Sequence, residues 1–268
     1  MTGIGFSAAG LLVGVAVGAT GVGGGSLMTP ILILFYGISP SVAVGTDLIY
    51  ASISKSYGVF LHYQRKTLEW SITLRLAMGS VPASLLALWW LHSMGITPQV
   101  DRIIKITLAC AVIATASFTL LHGLILRSGA TARGPLLVRF SKEQLKPWQL
   151  PLTILAGFVI GAVVTISSVG AGAIGMMLLI LLYPNCPPIR LVSADLAHAV
   201  LITGIAGAGH ASLGTVNWSM LAWLLLGALP GIYLGSRIGF KLDAKNLKRA
   251  ISGLLIVVGA MTLYKALH

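Results

Sequence analysis

The sequence predicts an all-α, polytopic membrane protein made of two inverted structural repeats. Each repeat is a glycine-broken helical hairpin followed by three transmembrane helices. Three observations predict this. Asp47, His62, Trp70, Gly79 and Pro82 recur as Asp195, His210, Trp218, Gly227 and Pro230, every pair 148 residues apart. The chain of 268 residues carries only 18 Lys and Arg and 6 Asp and Glu, less than half the charged fraction of a soluble domain. Its apolar stretches are long and are separated by short polar ones, which is the pattern of a chain that crosses a bilayer several times.

The stretches run, in order, over 3–37, 40–62, 70–92, 102–124, 149–183, 188–210, 218–240 and 249–267. Six are close to the ~20 residues that cross a bilayer. Segments 3–37 and 149–183 are too long for one straight helix, and each is interrupted near its middle. The first interruption is Thr20-Gly21-Val22-Gly23-Gly24-Gly25, and the second runs from Thr165 through Ser167, Ser168, Gly170 and Gly172. Gly21 to Gly25 matches Ser168 to Gly172 at an offset of 147, so one residue slips between Tyr36 and Asp47. Glycine weakens a helix and tolerates unusual dihedrals. Each long segment therefore reads as two short helical pieces that form either a re-entrant hairpin or two short crossings, and both return the chain to its starting side. The domains are a first transmembrane repeat over 1–124, a basic linker over 125–148 and a second transmembrane repeat over 149–268. Met1-Thr2-Gly3-Ile4 lacks the basic start of a cleaved signal peptide, so this segment is expected to stay.

The loops set the orientation. Loop 62–70 carries Arg65 and Lys66, while its partner 210–218 carries no Lys or Arg. Loop 92–102 has only Arg102 beside Asp101, while 237–249 has Arg237, Lys241, Lys245, Lys248 and Arg249. Corresponding loops prefer opposite sides of the membrane. The positive-inside bias places 62–70, the linker, Arg190 and 237–249 in the cytoplasm and both termini outside, so the halves are inverted. Halves of this kind are the usual build of a secondary transporter. The net charge of +12 is explained by these loops and does not indicate nucleic acid. Cys110 and Cys186 form neither a disulfide framework nor a zinc site, although a thiol role for Cys186 stays open. No metal site and no cofactor is expected.

Candidate chemistry lies at the breaks. Non-helical backbone inside a membrane is tolerated where protein buries it or where it lines a wet cavity. Helices starting near Ser26 and Ala173 would aim free N–H groups at such a cavity, and helix N-termini suit oxyanions. Thr20, Gly23, Gly24, Gly25, Ser26, Ser167, Ser168, Gly170 and Gly172 are the candidate cradle, with close helix packing through small residues as the competing explanation. Lys55 lies inside span 40–62, where a cation is costly and functional by default. A salt bridge to Asp47 or Asp195, or snorkelling across about 10 Å of helix rise, would also account for it. Its repeat partner is Thr203, so the site need not be symmetric. Asp47 and Asp195 either cap the facing break or carry protons. His198 shares a helix face with Asp195 and either bonds it or relays protons with it. His62 and His210 are read as interface anchors beside Trp70 and Trp218. The motifs of zinc proteases, P-loop proteins and nucleophile-elbow hydrolases are absent, so the chain is not expected to be an enzyme.

The stretches Gly23-Gly24-Gly25-Ser26-Leu27-Met28-Thr29-Pro30 and Pro40-Ser41-Val42-Ala43-Val44-Gly45-Thr46-Asp47 resemble the opening signature of the TauE/SafE family of sulfite exporters and sulfonate permeases. Ser193-Ala194-Asp195 resembles its degenerate second copy. The resemblance covers essentially the whole chain. It implies a multi-pass carrier of the bacterial plasma membrane that exports sulfite or a related small sulfur-containing anion on an electrochemical gradient, without ATP. Protons carried through Asp47, Asp195 or His198 are a candidate coupling ion. The second half departs from the signature: it has Ser167-Ser168-Val169-Gly170-Ala171-Gly172 in place of the triple glycine and no counterpart of Lys55. A membrane enzyme or assembly factor handling sulfur intermediates, and a passive anion channel, are the alternatives.

Overall fold

The computed structural model describes residues 3–20, 25–127, 147–170, 172–239 and 244–267. Among them all regular structure is helical. The helices are α1 (Gly3–Thr20), α2 (Gly25–Tyr36), α3 (Pro40–Gln64), α4 (Trp70–Met94), α5 (Pro98–Arg127), α6 (Gln149–Ser167), α7 (Ala173–Leu182), α8 (Pro188–Ser212), α9 (Trp218–Gly239) and α10 (Ala244–Leu267). Prolines open α3, α5 and α8, where the missing N–H costs nothing and the fixed φ suits a helix start. Several helices outrun their apolar stretches: α5 starts at Pro98 and α10 at Ala244, because polar residues at the membrane surface continue a helix as readily as apolar ones. Among the described residues four helices, Trp70–Met94, Gln149–Ser167, Pro188–Ser212 and Trp218–Arg237, are long and apolar enough to cross a membrane by length and composition alone. Most of the linker, residues 128–146, lies outside the described residues.

Both broken segments fold back on themselves. Tyr36 at the end of α2 donates its hydroxyl to the carbonyl of Gly5 near the start of α1 (2.6 Å) and stacks on Phe6. In the second half, Gln149 at the start of α6 donates to the carbonyl of Leu182 at the end of α7 (2.9 Å), and Thr153 bonds Tyr183 (2.9 Å).

The two hairpins close at opposite ends of the bundle. At one end Ser41 N–H donates to Asp101, Asn217 N–H donates to Thr46, and Arg102 donates to the carbonyl of Ala266. The Tyr36–Gly5 closure lies here, a few residues before Ser41. At the other end Ser193 donates to the carbonyl of Thr67 (2.6 Å) and Arg190 pairs with Glu69 (3.2 Å), beside the Gln149–Leu182 closure.

Packing repeats between the halves. The main partners are α1 with α9, α4 with α6, α3 with α8, and α5 with α10. Exchanging each helix for the one 147 or 148 residues away returns the same set. Individual contacts follow. A Cβ at Gly10 would meet the carbonyl of Leu224, and one at Gly157 that of Leu76. Gly14 faces Ala228 as Gly161 faces Ser80, and Gly227 faces Ser7 as Gly79 faces Ile154. Backbones come this close only where both surfaces are small, and in lipid such contact, rather than hydrophobic burial, holds helices together. On α3 and α8, Ser52 donates to the carbonyl of Val200 (3.3 Å), and these two residues are themselves 148 apart.

The loop after each central helix is also repeated. His62 Nδ1 lies 2.8 Å from Thr67 Oγ1, and His210 Nδ1 lies 2.9 Å from Thr215 Oγ1. His210 is not the interface anchor its position suggests. It is 1 % exposed, and its Nε2 bonds the carbonyl of Thr165 (3.0 Å). The α6 break comes up against α8 and encloses the ring. Trp70 and Trp218 are exposed at the helix starts, as an aromatic belt requires.

Candidate functional site

The second-half break is built from unusual backbone. Ser168 is left-handed (φ 59°), and Gly170 and Gly172 have φ of 121° and 135°. The last two values are open mainly to glycine. Gly172 caps α7 and accepts the N–H of Met176 (2.8 Å). The N–H groups of the first turn of α7 therefore point back into the break. Ser167 uses its hydroxyl locally, on the carbonyl of Val163 (2.7 Å).

Asp47 ties the two halves together. Its Oδ2 accepts the hydroxyls of Thr29 from α2 and of Ser168 from the opposite break (3.0 Å), and all three side chains are buried. Among the described residues its Oδ1 has no hydrogen-bond partner. The repeat-related Asp195 is held differently. Met176 occupies the position of Thr29 and offers no hydroxyl. The Asp195 carboxylate lies against Gly175 in the first turn of α7, where a Cβ would collide with Oδ1, and among the described residues Oδ1 has no hydrogen-bond partner. One carboxylate is fixed by donors and its twin is not. Asp47→Ala would leave two buried hydroxyls without their acceptor, at about 1–3 kcal/mol each. We expect Asp47→Ala to lower the detergent-solubilised protein's melting temperature clearly more than Asp195→Ala does.

Depth divides the candidate residues into two groups. Asp47 is seven residues from the start of α3 and Asp195 seven from the start of α8, so each lies about 10 Å from opposite ends. Lys55 is nine residues before the end of α3, about 14 Å from the end that carries Asp195. The N-terminus of α7 and His198 lie at nearly the same depth by the same count. Ser167 and Ser168 are nearer the far end, with Asp47. The single cradle expected from the sequence is thus two neighbouring polar groups.

Lys55 is 6 % exposed, and among the described residues it makes neither a hydrogen bond nor an ion pair. The charges that act on its ammonium are Asp195, the stronger, and Asp47. Neither expected salt bridge forms. His198 does not bond Asp195 either: its Nε2 lies 2.8 Å from Ser80 Oγ, and among the described residues its Nδ1 has no partner. The α4 face toward α8 captures the ring. Ser80 and Ser84, which bonds Thr165 (2.7 Å), are residues that sequence reasoning missed. Their repeat equivalents are Ala228 and Ile232, and polar residues replacing apolar ones in a single copy were the available signal. Gly25 opens α2, the side chains of Thr20 and Ser26 are not described, and Gly23 and Gly24 lie outside the described residues.

A helical bundle with broken hairpins, a buried unpaired cation and long apolar spans is a multi-pass membrane protein of the transporter class. The comparisons place it more narrowly. The profile of the family described as Sulfite exporter TauE/SafE matches residues 6–262, and the chain belongs to that family. It is similar to the probable membrane transporter protein YjnA of Bacillus subtilis (strain 168), 37 % identical over 93 % of this chain and 95 % of that protein. It is also similar to the probable membrane transporter protein YunE of the same strain, 24 % identical over 96 % of both chains. A further relative is the probable membrane transporter protein MJ0441 of Methanocaldococcus jannaschii, 25 % identical over 95 % of this chain and 92 % of that one. No solved structure matches the chain.

Proposed function

We propose that the protein is a secondary transporter that exports sulfite or a related small organosulfur anion by alternating access, driven by an electrochemical gradient across the bacterial plasma membrane. The two repeats, 1–124 and 149–268, are inverted relative to each other, and the linker 125–148 is cytoplasmic. Supporting the inversion, the two hairpins close at opposite ends of the bundle. Arg190 and the loop of Arg65 and Lys66 share one end, as the charge bias requires. The anion sits beside Lys55, near the N-terminus of α7 and the turns at Gly170 and Gly172. The single observation that carries this reading is Lys55 itself, buried at mid-depth without a hydrogen bond or ion pair. A buried charge without a close contact is costly, and an anionic substrate would supply the direct pairing that Asp195 and Asp47 do not make.

Sulfite flux in proteoliposomes against empty vesicles, with sulfate and thiosulfate as competitors, tests it. Saturable, protein-dependent and concentrative sulfite flux is the expected result. Flux that only equilibrates would make the protein a passive channel, and no flux from folded protein would sink the substrate assignment. The thiol alternative finds no support at Cys186. Burial and the neighbouring Glu69 carboxylate push this thiol up, with Arg190 opposing them in part, and a reactive thiol needs the reverse. We expect Cys186→Ser to transport at the wild-type rate within about twofold.

A further inference from the structure

We infer that Asp195, and not its repeat twin Asp47, is the carboxylate that exchanges a proton when the anion binds, so that anion and proton occupy the site together. This rests on the anion site proposed at Lys55. Three observations carry it. Asp195 is 8 % exposed, and among the described residues its Oδ1 has no hydrogen-bond donor. Its carboxylate lies against Gly175 at the N-terminus of α7, where the proposed anion would also bind. Asp47, by contrast, is engaged by the hydroxyls of Thr29 and Ser168. Those two bonds tie together α2, α3 and the opposite break, a structural duty unaffected by what occupies the site.

The groups facing Asp195 are few. From α3 comes Lys55, the charge that acts on it. From its own helix comes His198, whose Nε2 is occupied by Ser80 of α4. The segments Gln149–Ser167 and Ala173–Leu182, which form α6 and α7, contain no titratable side chain. One cation therefore serves two competing anions. In the empty site the Asp195 carboxylate is the counter-charge of Lys55. When an oxyanion takes that place, Asp195 loses its counter-charge in a low-dielectric setting and accepts a proton from water at its free oxygen. The net charge beside Lys55 is then the same empty and loaded when the anion is singly charged. A dianion crosses with one net negative charge, and a potential negative inside still drives it outward.

Linkage gives the sign. Binding takes up a proton, so affinity is highest at low pH and falls by up to tenfold per pH unit once Asp195 is ionised in the empty site. The test is the dissociation constant of sulfite, thiosulfate and sulfate for the full chain in detergent, from pH 6 to pH 9. Thiosulfate and sulfate do not themselves titrate there. We expect wild-type binding of thiosulfate and sulfate to weaken with rising pH, and their binding to Asp195→Asn to vary less than about twofold across the range. Asp47→Asn, which keeps an acceptor for Thr29 and Ser168, retains the slope at whatever affinity remains. A pH-independent wild type overturns the inference. So does a slope that survives in Asp195→Asn, because the titrating group is then Lys55, His198 or Asp47. If Asp195→Asn does not fold, Asp195→Glu replaces it, and an unshifted midpoint overturns the inference. Binding of thiosulfate or sulfate with the expected slope but no binding of sulfite refutes the sulfite assignment alone, and binding of none of the three overturns both.

Discussion

Lys55→Ala is expected to lower the anion transport rate at subsaturating substrate by at least about 30-fold, while the purified protein melts at the wild-type temperature or slightly above it. The two halves of this result have separate causes. Removing a charge that pairs with a desolvated ligand costs about 2 kcal/mol or more of binding, and 1.4 kcal/mol is a factor of ten. In the empty protein the same ammonium is buried without a hydrogen bond or ion pair. Deleting it removes a desolvation cost, and the carboxylate left behind is neutralised by a proton. A structural lysine would behave in the opposite way, losing stability first. Lys55→Arg, which preserves the charge, should retain measurable transport. Flux from Lys55→Ala equal to wild type, with Lys55→Arg inactive, would show that shape and not charge is the requirement.

The second large effect concerns the fold. Gly227→Leu is expected to give no monodisperse, folded protein. A Cβ at this position would overlap the carbonyl oxygen of Ser7 and crowd the backbone of Leu11. Backbone cannot rotate aside as a side chain can, so α1 and α9 would have to separate along the packed stripe that includes Gly10, Gly14, Gly231 and Gly235. Overpacking of this kind costs up to about 3 kcal/mol and occasionally more, in an interface with no hydrophobic effect to hold it in lipid. Gly253→Ala is the control. Nothing lies within 4 Å of a Cβ there, and alanine favours a helix by about 0.5–1 kcal/mol, so its melting temperature should stay level or rise. Size-exclusion profiles and thermal denaturation in detergent decide both. A monodisperse Gly227→Leu protein with wild-type stability would mean that the α1–α9 contact does not hold the bundle together.

Much of this protein is legible along the chain because its main signals are local or periodic. A run of apolar residues must pair its backbone internally in lipid, so length and composition place the helices. Prolines at 40, 98 and 188 and the glycine-rich breaks end or open helices at α3, α5, α8 and α7 through φ alone. The offset of 148 between Asp47 and Asp195 is a repeat signal carried by residue spacing alone, and an isolated lysine in an apolar span marks a buried cation.

Partner choice is not local. Asp47 and Asp195 are equivalent in sequence position, yet one is held by hydroxyls from two different segments and the other by none. His198 is one turn from Asp195 but bonds Ser80, which is 118 residues away, because rotation of α4 against α8 decides which side chain the ring meets. His210 looks like a surface anchor until the α6 break closes over it. By itself the sequence determined the helices, their breaks, the repeat and the buried cation, since each follows from transfer energies and backbone stereochemistry acting within a segment. Only the tertiary structure decided which carboxylate is tied down and which stands free beside Lys55. That depends on how helices from opposite halves are turned against one another, and a hydrogen bond reaching only about 3 Å registers that rotation where a hydrophobic pattern does not.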